Sequence, residues 1–179
     1  MNEYKTLLDP AGMHYMKTVR EIPLAEPLDT PEKVVSFFRE QFQMDELAEE
    51  YVYILAVNQA SKGLGVFELT HGTSKTTLIS ARDIFVKLCL AGATSFILVH
   101  NHPGGSTFPS RQDMETTMLL AHAGQLMDID LIDHLIIGHE GDYLSMREQG
   151  LLSSDSKRKE VAASTTPRIA YAMRGACGI

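Results

Sequence analysis

The sequence predicts an α/β fold, with a mixed central sheet and helices on both of its faces. Three patterns carry that expectation. Runs such as Tyr51-Val-Tyr-Ile-Leu-Ala-Val57 have strand length and are continuously apolar, as strands buried on both sides are. Segments of helical spacing alternate with these runs and begin at recognisable caps. Two early strands separated by the turn-like Ser61-Lys62-Gly63 form a hairpin, which puts an antiparallel pair into the sheet.

The elements follow in order. Residues 1–29 contain Pro10, Pro23 and Pro27 without sustained periodicity and read as a loosely structured arm. Thr30-Pro31 supplies a capping hydroxyl followed by proline in the first helical position, where a missing N–H is harmless. Val34, Val35, Phe37, Phe38 and Phe42 give the helix over 31–43 its apolar stripe. The strand over 51–57 and its partner over 64–70 come next, the partner closed by His71-Gly72-Thr73 and read as an edge open to pairing. Ser80 with Asp83 resembles a capping box and opens a helix reaching Gly92. A strand over 94–99 leads into a Gly- and Pro-rich loop, and Ser110 starts a helix to Met127 with Met114, Met118, Ala121 and Leu126 on its buried face. A strand over 131–137, a turn at Gly141 and a short strand over 142–145 complete the domain, 30–152. The polar, small-residue stretch 153–179 reads as a flexible tail.

Composition limits the function. The net charge of −7 and the scattered basic residues argue against gripping nucleic acid through its phosphates. The one basic run, Lys157-Arg158-Lys159, falls in the tail. No apolar run approaches the roughly 20 residues of a membrane span, and the N-terminus lacks a secretory apolar region, so a cytoplasmic location is expected. Two cysteines exclude a four-cysteine zinc site; Cys89 reads as a reduced core residue and Cys177 as a tail thiol.

The chemistry concentrates in Val99-His-Asn-His-Pro-Gly-Gly-Ser-Thr-Phe-Pro-Ser-Arg-Gln-Asp113. Two histidines two positions apart at a strand end point to the same side, so His100 and His102 can close on one ion. Asp113, in the first turn of the next helix, can add an oxygen ligand. Two imidazoles and one carboxylate leave a fourth zinc position open, the arrangement of a catalytic site. Glu50, before the buried strand, and Glu68, on its hairpin partner, are both candidates for the general base. Ser110, one turn before Asp113, can steady an oxyanion. Each feature has a plainer explanation: His-x-His alone is unspecific, and Ser110 with Asp113 also fits a helix cap. His134 beside Asp133 supports a ligand histidine or is satisfied by backbone, and His71 reads as a turn residue. Together, the strand, the histidine pair, the loop and the carboxylate one turn into a helix carry the metal reading.

These residues also carry a resemblance. His100-x-His102-Pro103 followed by Ser110-x-x-Asp113 resembles the His-x-His-Pro…Ser-x-x-Asp signature of the JAMM (MPN, JAB) metalloproteases. The full string HNHPGGSTFPSRQD is similar to the RadC-type branch, in a short form without the helix-hairpin-helix module; Gly104 stands where that branch usually has serine. The resemblance covers roughly residues 31–152 and implies a deaminase-like three-layer sandwich. It also implies Zn2+ held by His100, His102 and Asp113, with Glu50 and Ser110 as catalytic residues. The implied activity is hydrolysis of an amide or isopeptide bond in a peptide or protein substrate. The alternatives are a non-catalytic binding module and a DNA-repair-associated protein, the latter opposed by the charge balance.

Overall fold

Local signals place the three helices. In the computed structural model, which describes residues 1–24, 26–72 and 80–152, helix α1 spans Pro31–Phe42. Its cap Thr30 accepts a hydrogen bond from the Lys33 N–H, and Gln43 closes it in the left-handed conformation. Helix α2 (Ala81–Ala91) is capped by Ser80 and ended by Gly92 at φ 66°, where a residue without Cβ is least strained. Helix α3 (Arg111–Met127) opens with a complete capping box between Ser110 and Asp113.

Among the described residues, seven strands form one mixed sheet: β1 (Asn2–Leu8), β2 (His14–Glu21), β3 (Glu50–Val57), β4 (Gly63–Gly72), β5 (Ser95–Asn101), β6 (Asp130–Ile137) and β7 (Tyr143–Ser145). Their order is β2-β1-β4-β3-β5-β6-β7. β5–β6 and β1–β4 are parallel pairs, and the others are antiparallel. The pleat divides the apolar residues of β3 between two cores. Val52, Ile54 and Ala56 pack with Phe85 and Leu88 of α2 and Leu120 of α3. Tyr53, Leu55 and Val57 pack with Val34, Val35 and Phe38 of α1 on the other face. The α/β sandwich with helices on both faces follows directly.

This topology gathers chemistry at one end of the sheet. β3 is antiparallel to both neighbours, so its first residue, Glu50, sits opposite Gly72 at the end of β4. Val52 sits opposite His100 near the end of β5. Residues directly opposite share a face, so Glu50, Val52 and His100 all look toward α2 and α3.

Several expectations are corrected. The N-terminal segment read as a loose arm contains β1 and β2, a hairpin around a turn in which the Asp9 carboxylate accepts from the Ala11 and Met13 N–H groups. β4 is consequently interior, not an edge: β1 pairs along it, and the Tyr4 ring lies over Gly65, where a Cβ would stand 2.5 Å from it. On α3 the buried residues are Thr117, Leu120 and Gly124, whereas Met118 and Leu126 are 66% and 71% exposed. A Cβ at Gly124 would stand 2.5 Å from the carbonyl of Ile129, the residue before β6, so glycine admits the close return of the chain at the end of α3. Cys89 is exposed, not a core residue. The tail over 153–179, with Lys157 to Lys159 and Cys177, and Thr73 after β4 lie outside the described residues. Among the described residues, no helix is long and apolar enough to cross a membrane.

Candidate metal centre

β5 delivers His100 after the buried apolar run Phe96–Val99, and the chain continues into a pinned turn that delivers His102. The His102 N–H donates to the Ile137 carbonyl (3.0 Å), and the Gly105 N–H returns to the His102 carbonyl (2.9 Å). Gly105 has φ +78°, and its carbonyl packs against Gly138, where a Cβ would come within 2.5 Å. The His139 ring nitrogen Nε2 contacts the Pro103 carbonyl at 2.9 Å. The loop therefore rests on the end of β6. Its other end is set by the capping box: the Ser110 N–H donates to Asp113 Oδ2 (2.7 Å), and the Asp113 N–H donates to Ser110 Oγ (3.2 Å).

The three expected ligand atoms converge. His100 Nε2 lies 3.0 Å from His102 Nε2 and 3.5 Å from Asp113 Oδ1, and His102 Nε2 lies 3.4 Å from Asp113 Oδ2. Bonds of about 2.0–2.1 Å from a tetrahedral zinc put neighbouring donors about 3.3 Å apart, close to each of these contacts, although the two histidines face different oxygens of the carboxylate. The His102 Nδ1–H donates to the Ser106 carbonyl at 2.6 Å, so Nε2 is the ring nitrogen that faces His100 and Asp113. Imidazole nitrogens and a carboxylate in this spacing are a donor set compatible with a metal ion.

The electrostatics match. Burial drives the His100 imidazole down to about 4, and it holds His134 well below its usual range, so both rings are neutral. Burial on its own raises Asp113, but the His102 hydrogen bond, the neighbouring His100 and the Ser110 contacts outweigh it and hold the carboxyl well below the usual carboxylate range. His102 is raised, chiefly by the Asp113 carboxylate. Glu50 lines the same cleft as His100, Gln112, Asp113 and Thr116. Burial and then the Asp113 charge raise its carboxyl, while His102 opposes them.

The pleat separates the two base candidates. Glu68 pairs with Tyr53, on the α1 face, accepts from the Tyr53 hydroxyl (3.4 Å) and contacts His71 Nδ1 at 2.8 Å. It stands on the opposite side of the sheet from His100. Glu50 is the carboxylate that the fold brings to the cleft. Ser110 is adjacent through the helix cap and exposed to solvent.

Three further residues serve the site. Asn101, between the two histidines and 1% exposed, accepts from the Tyr51 N–H (2.7 Å) and donates to the Glu49 carbonyl (3.0 Å). Its amide thus brackets the backbone of Glu50. An amide between the two candidate ligand histidines at a strand end was the available signal, but its partners lie about fifty residues away. His134 is satisfied by side chains and not by backbone: Nε2 meets His100 Nδ1 at 2.8 Å, and Nδ1 meets Thr117 Oγ1 at 2.6 Å. Thr117, one turn after Asp113, gave no sequence signal of its own.

A seven-stranded α/β sandwich with a His-His-Asp cluster at the end of a central strand defines a class of potential metal-binding domain. The chain belongs to the RadC-like JAB domain family, whose profile matches residues 28–151. It is 34% identical over 144 residues to a UPF0758 protein of Symbiobacterium thermophilum, covering 80% of this chain and 60% of that protein. A UPF0758 protein of Thermotoga maritima is 36% identical over 141 residues, covering 79% and 61% respectively. One from Clostridium botulinum is 33% identical over 136 residues, covering 76% and 57%. The chain thus spans about 60% of the length of these relatives.

Proposed function

We propose that this chain is a zinc-dependent hydrolase that cleaves an amide or isopeptide bond in a peptide or protein substrate. The observation that carries the reading is the convergence of His100, His102 and Asp113, whose closest donor atoms make contacts of 3.0–3.5 Å, beside a cleft that Glu50 shares. His100, His102 and Asp113 would hold the zinc, which when bound would supply an acidified water, with a pKa of about 7, and a Lewis acid for a carbonyl oxygen. Glu50 accepts the proton of the attacking water and returns it to the leaving nitrogen; its partly buried, raised carboxyl suits both steps. The Ser110 oxygen accepts from the Asp113 N–H, so its hydroxyl proton is free to point at a developing oxyanion. Membership in a family related to metallohydrolases supports the same reading.

The test is hydrolysis of a peptide and isopeptide panel by zinc-loaded protein, with and without chelator. Activity lost on chelation, in His102→Ala and in Glu50→Gln supports the reading, and full activity in metal-free protein contradicts it. A chain that binds zinc but cleaves nothing in the panel is a docking module on the same fold. Tight, salt-dependent DNA binding would instead revive a nucleic-acid role that the net charge of −7 disfavours.

A further inference from the structure

We infer that Thr117 and His134 are positioning residues that lock His100 in the tautomer whose Nε2 is free to bind metal. The inference rests on the zinc reading of the site and concerns how the apoprotein is prepared for the ion.

The direction of each hydrogen bond follows from one group that cannot donate. Thr117 Oγ1 lies 2.6 Å from the backbone carbonyl of Asp113. A carbonyl only accepts, so a contact that short requires the threonine proton between the two oxygens. With its single proton committed, the hydroxyl must accept from His134 Nδ1, also 2.6 Å away, so His134 carries its proton on Nδ1. The Met146 sulfur at 3.2 Å receives no proton and is a packing contact. Buried, with a hydroxyl and an imidazole but no carboxylate at its ring nitrogens, His134 has no partner for a second proton, so it presents a bare Nε2 to His100 Nδ1 at 2.8 Å, and the proton in that contact belongs to His100 Nδ1. The His100 Nε2 lone pair is left facing His102 and Asp113.

Thr117, His134 and His100 are each 2% exposed, so water does not compete for these bonds. The chain of donors begins on one ligand, His100, and ends on the backbone of another, Asp113. The relay thus couples the ring orientation of His100 to the first turn of α3, which carries the carboxylate. Without the hydroxyl, His134 loses the acceptor for its Nδ1–H. The opposite tautomer, with His134 donating from Nε2, then becomes favourable and moves the His100 proton onto Nε2, where it blocks the ion.

The experiment compares wild type with Thr117→Val, Thr117→Ala and Thr117→Ser. Long-range nitrogen–proton correlations of the imidazoles are read in metal-free protein, zinc affinity by chelator competition, and folding by circular dichroism. Wild type and Thr117→Ser show Nδ1-protonated His100 and His134 and bind zinc equally well. Thr117→Val and Thr117→Ala shift the His100 proton toward Nε2 and weaken zinc binding about 10- to 100-fold. Folded Val and Ala variants with unchanged ring protonation and affinity overturn the inference. So does Nε2 protonation of both rings in the wild type, whatever the variants do. A wild type that takes up no zinc defeats the hydrolase reading alone, because the ring protonation still decides the relay.

Discussion

Adding a single methyl group at Gly138, which ligates nothing, is expected to loosen the metal centre. A Cβ there would stand 2.5 Å from the Gly105 carbonyl oxygen and 2.8 Å from Thr107 Cγ2, in the loop that carries His102. Relieving the carbonyl contact to an acceptable distance moves the loop backbone by about 0.5–0.9 Å, an overpacking strain of about 1–3 kcal/mol. Metal–ligand distances tolerate only about 0.2 Å, so the loop cannot absorb that shift and keep His102 in place. The apoprotein can relax by moving the loop, and the zinc complex cannot. Zinc affinity in Gly138→Ala should therefore fall at least about tenfold, roughly 1.4 kcal/mol. Gly104, in the same loop, is the control, because a Cβ there meets nothing within 4 Å. Chelator competition on Gly138→Ala, Gly104→Ala and wild type makes the comparison. Wild-type affinity in Gly138→Ala, or an equal loss in Gly104→Ala, refutes the claim that the end of β6 supports the ligand loop.

Two further predictions follow from the same geometry. Glu50→Gln should abolish hydrolysis and keep one zinc per chain, whereas Glu68→Gln, on the other face of the sheet, should keep both; activity and metal content are measured on the same preparations. The metal-free protein should lose stability on acidification. His100 titrates at about 4 when folded against an ordinary value of 6.5, so the unfolded chain binds the extra proton first. Stability falls across that window by about 3 kcal/mol for His100 alone. The buried His134 adds in the same direction, and the raised His102 opposes them. Urea unfolding at pH 7 and pH 5 reads the effect, and equal or greater stability at pH 5 contradicts it.

What could be read from the sequence was what depends on neighbours in the chain. Thr30, Ser80 and Ser110 announce helix starts because a cap acts within three residues, and all three cap as expected. The candidate ligand cluster was legible for the same reason: His100 near the end of β5 and His102 just after it lie two positions apart, and Asp113 falls in the first turn of a helix. The β1–β2 hairpin was missed because β2 is an edge strand exposed along most of its length, so its residues need not alternate. Pro10 also suggested a break where it marks the turn. On α3, Met114 and Ala121 pack against the core as expected, but Met118 and Leu126 do not, and the fully buried positions go to Thr117, Leu120 and Gly124. The choice between Glu50 and Glu68 needed the pairing register, since only register assigns a face. The roles of Asn101 and His134 depend on partners 50 and 34 residues distant, which no local pattern reports.

The central claim is that His100, His102 and Asp113 hold a metal ion. Metal analysis of protein purified without added metal, alongside the double variant His100→Ala/His102→Ala, tests it most directly. The account predicts about one zinc per wild-type chain and none in a folded double variant. A wild type without bound metal even after zinc is supplied, or a variant that retains the full complement, would contradict it.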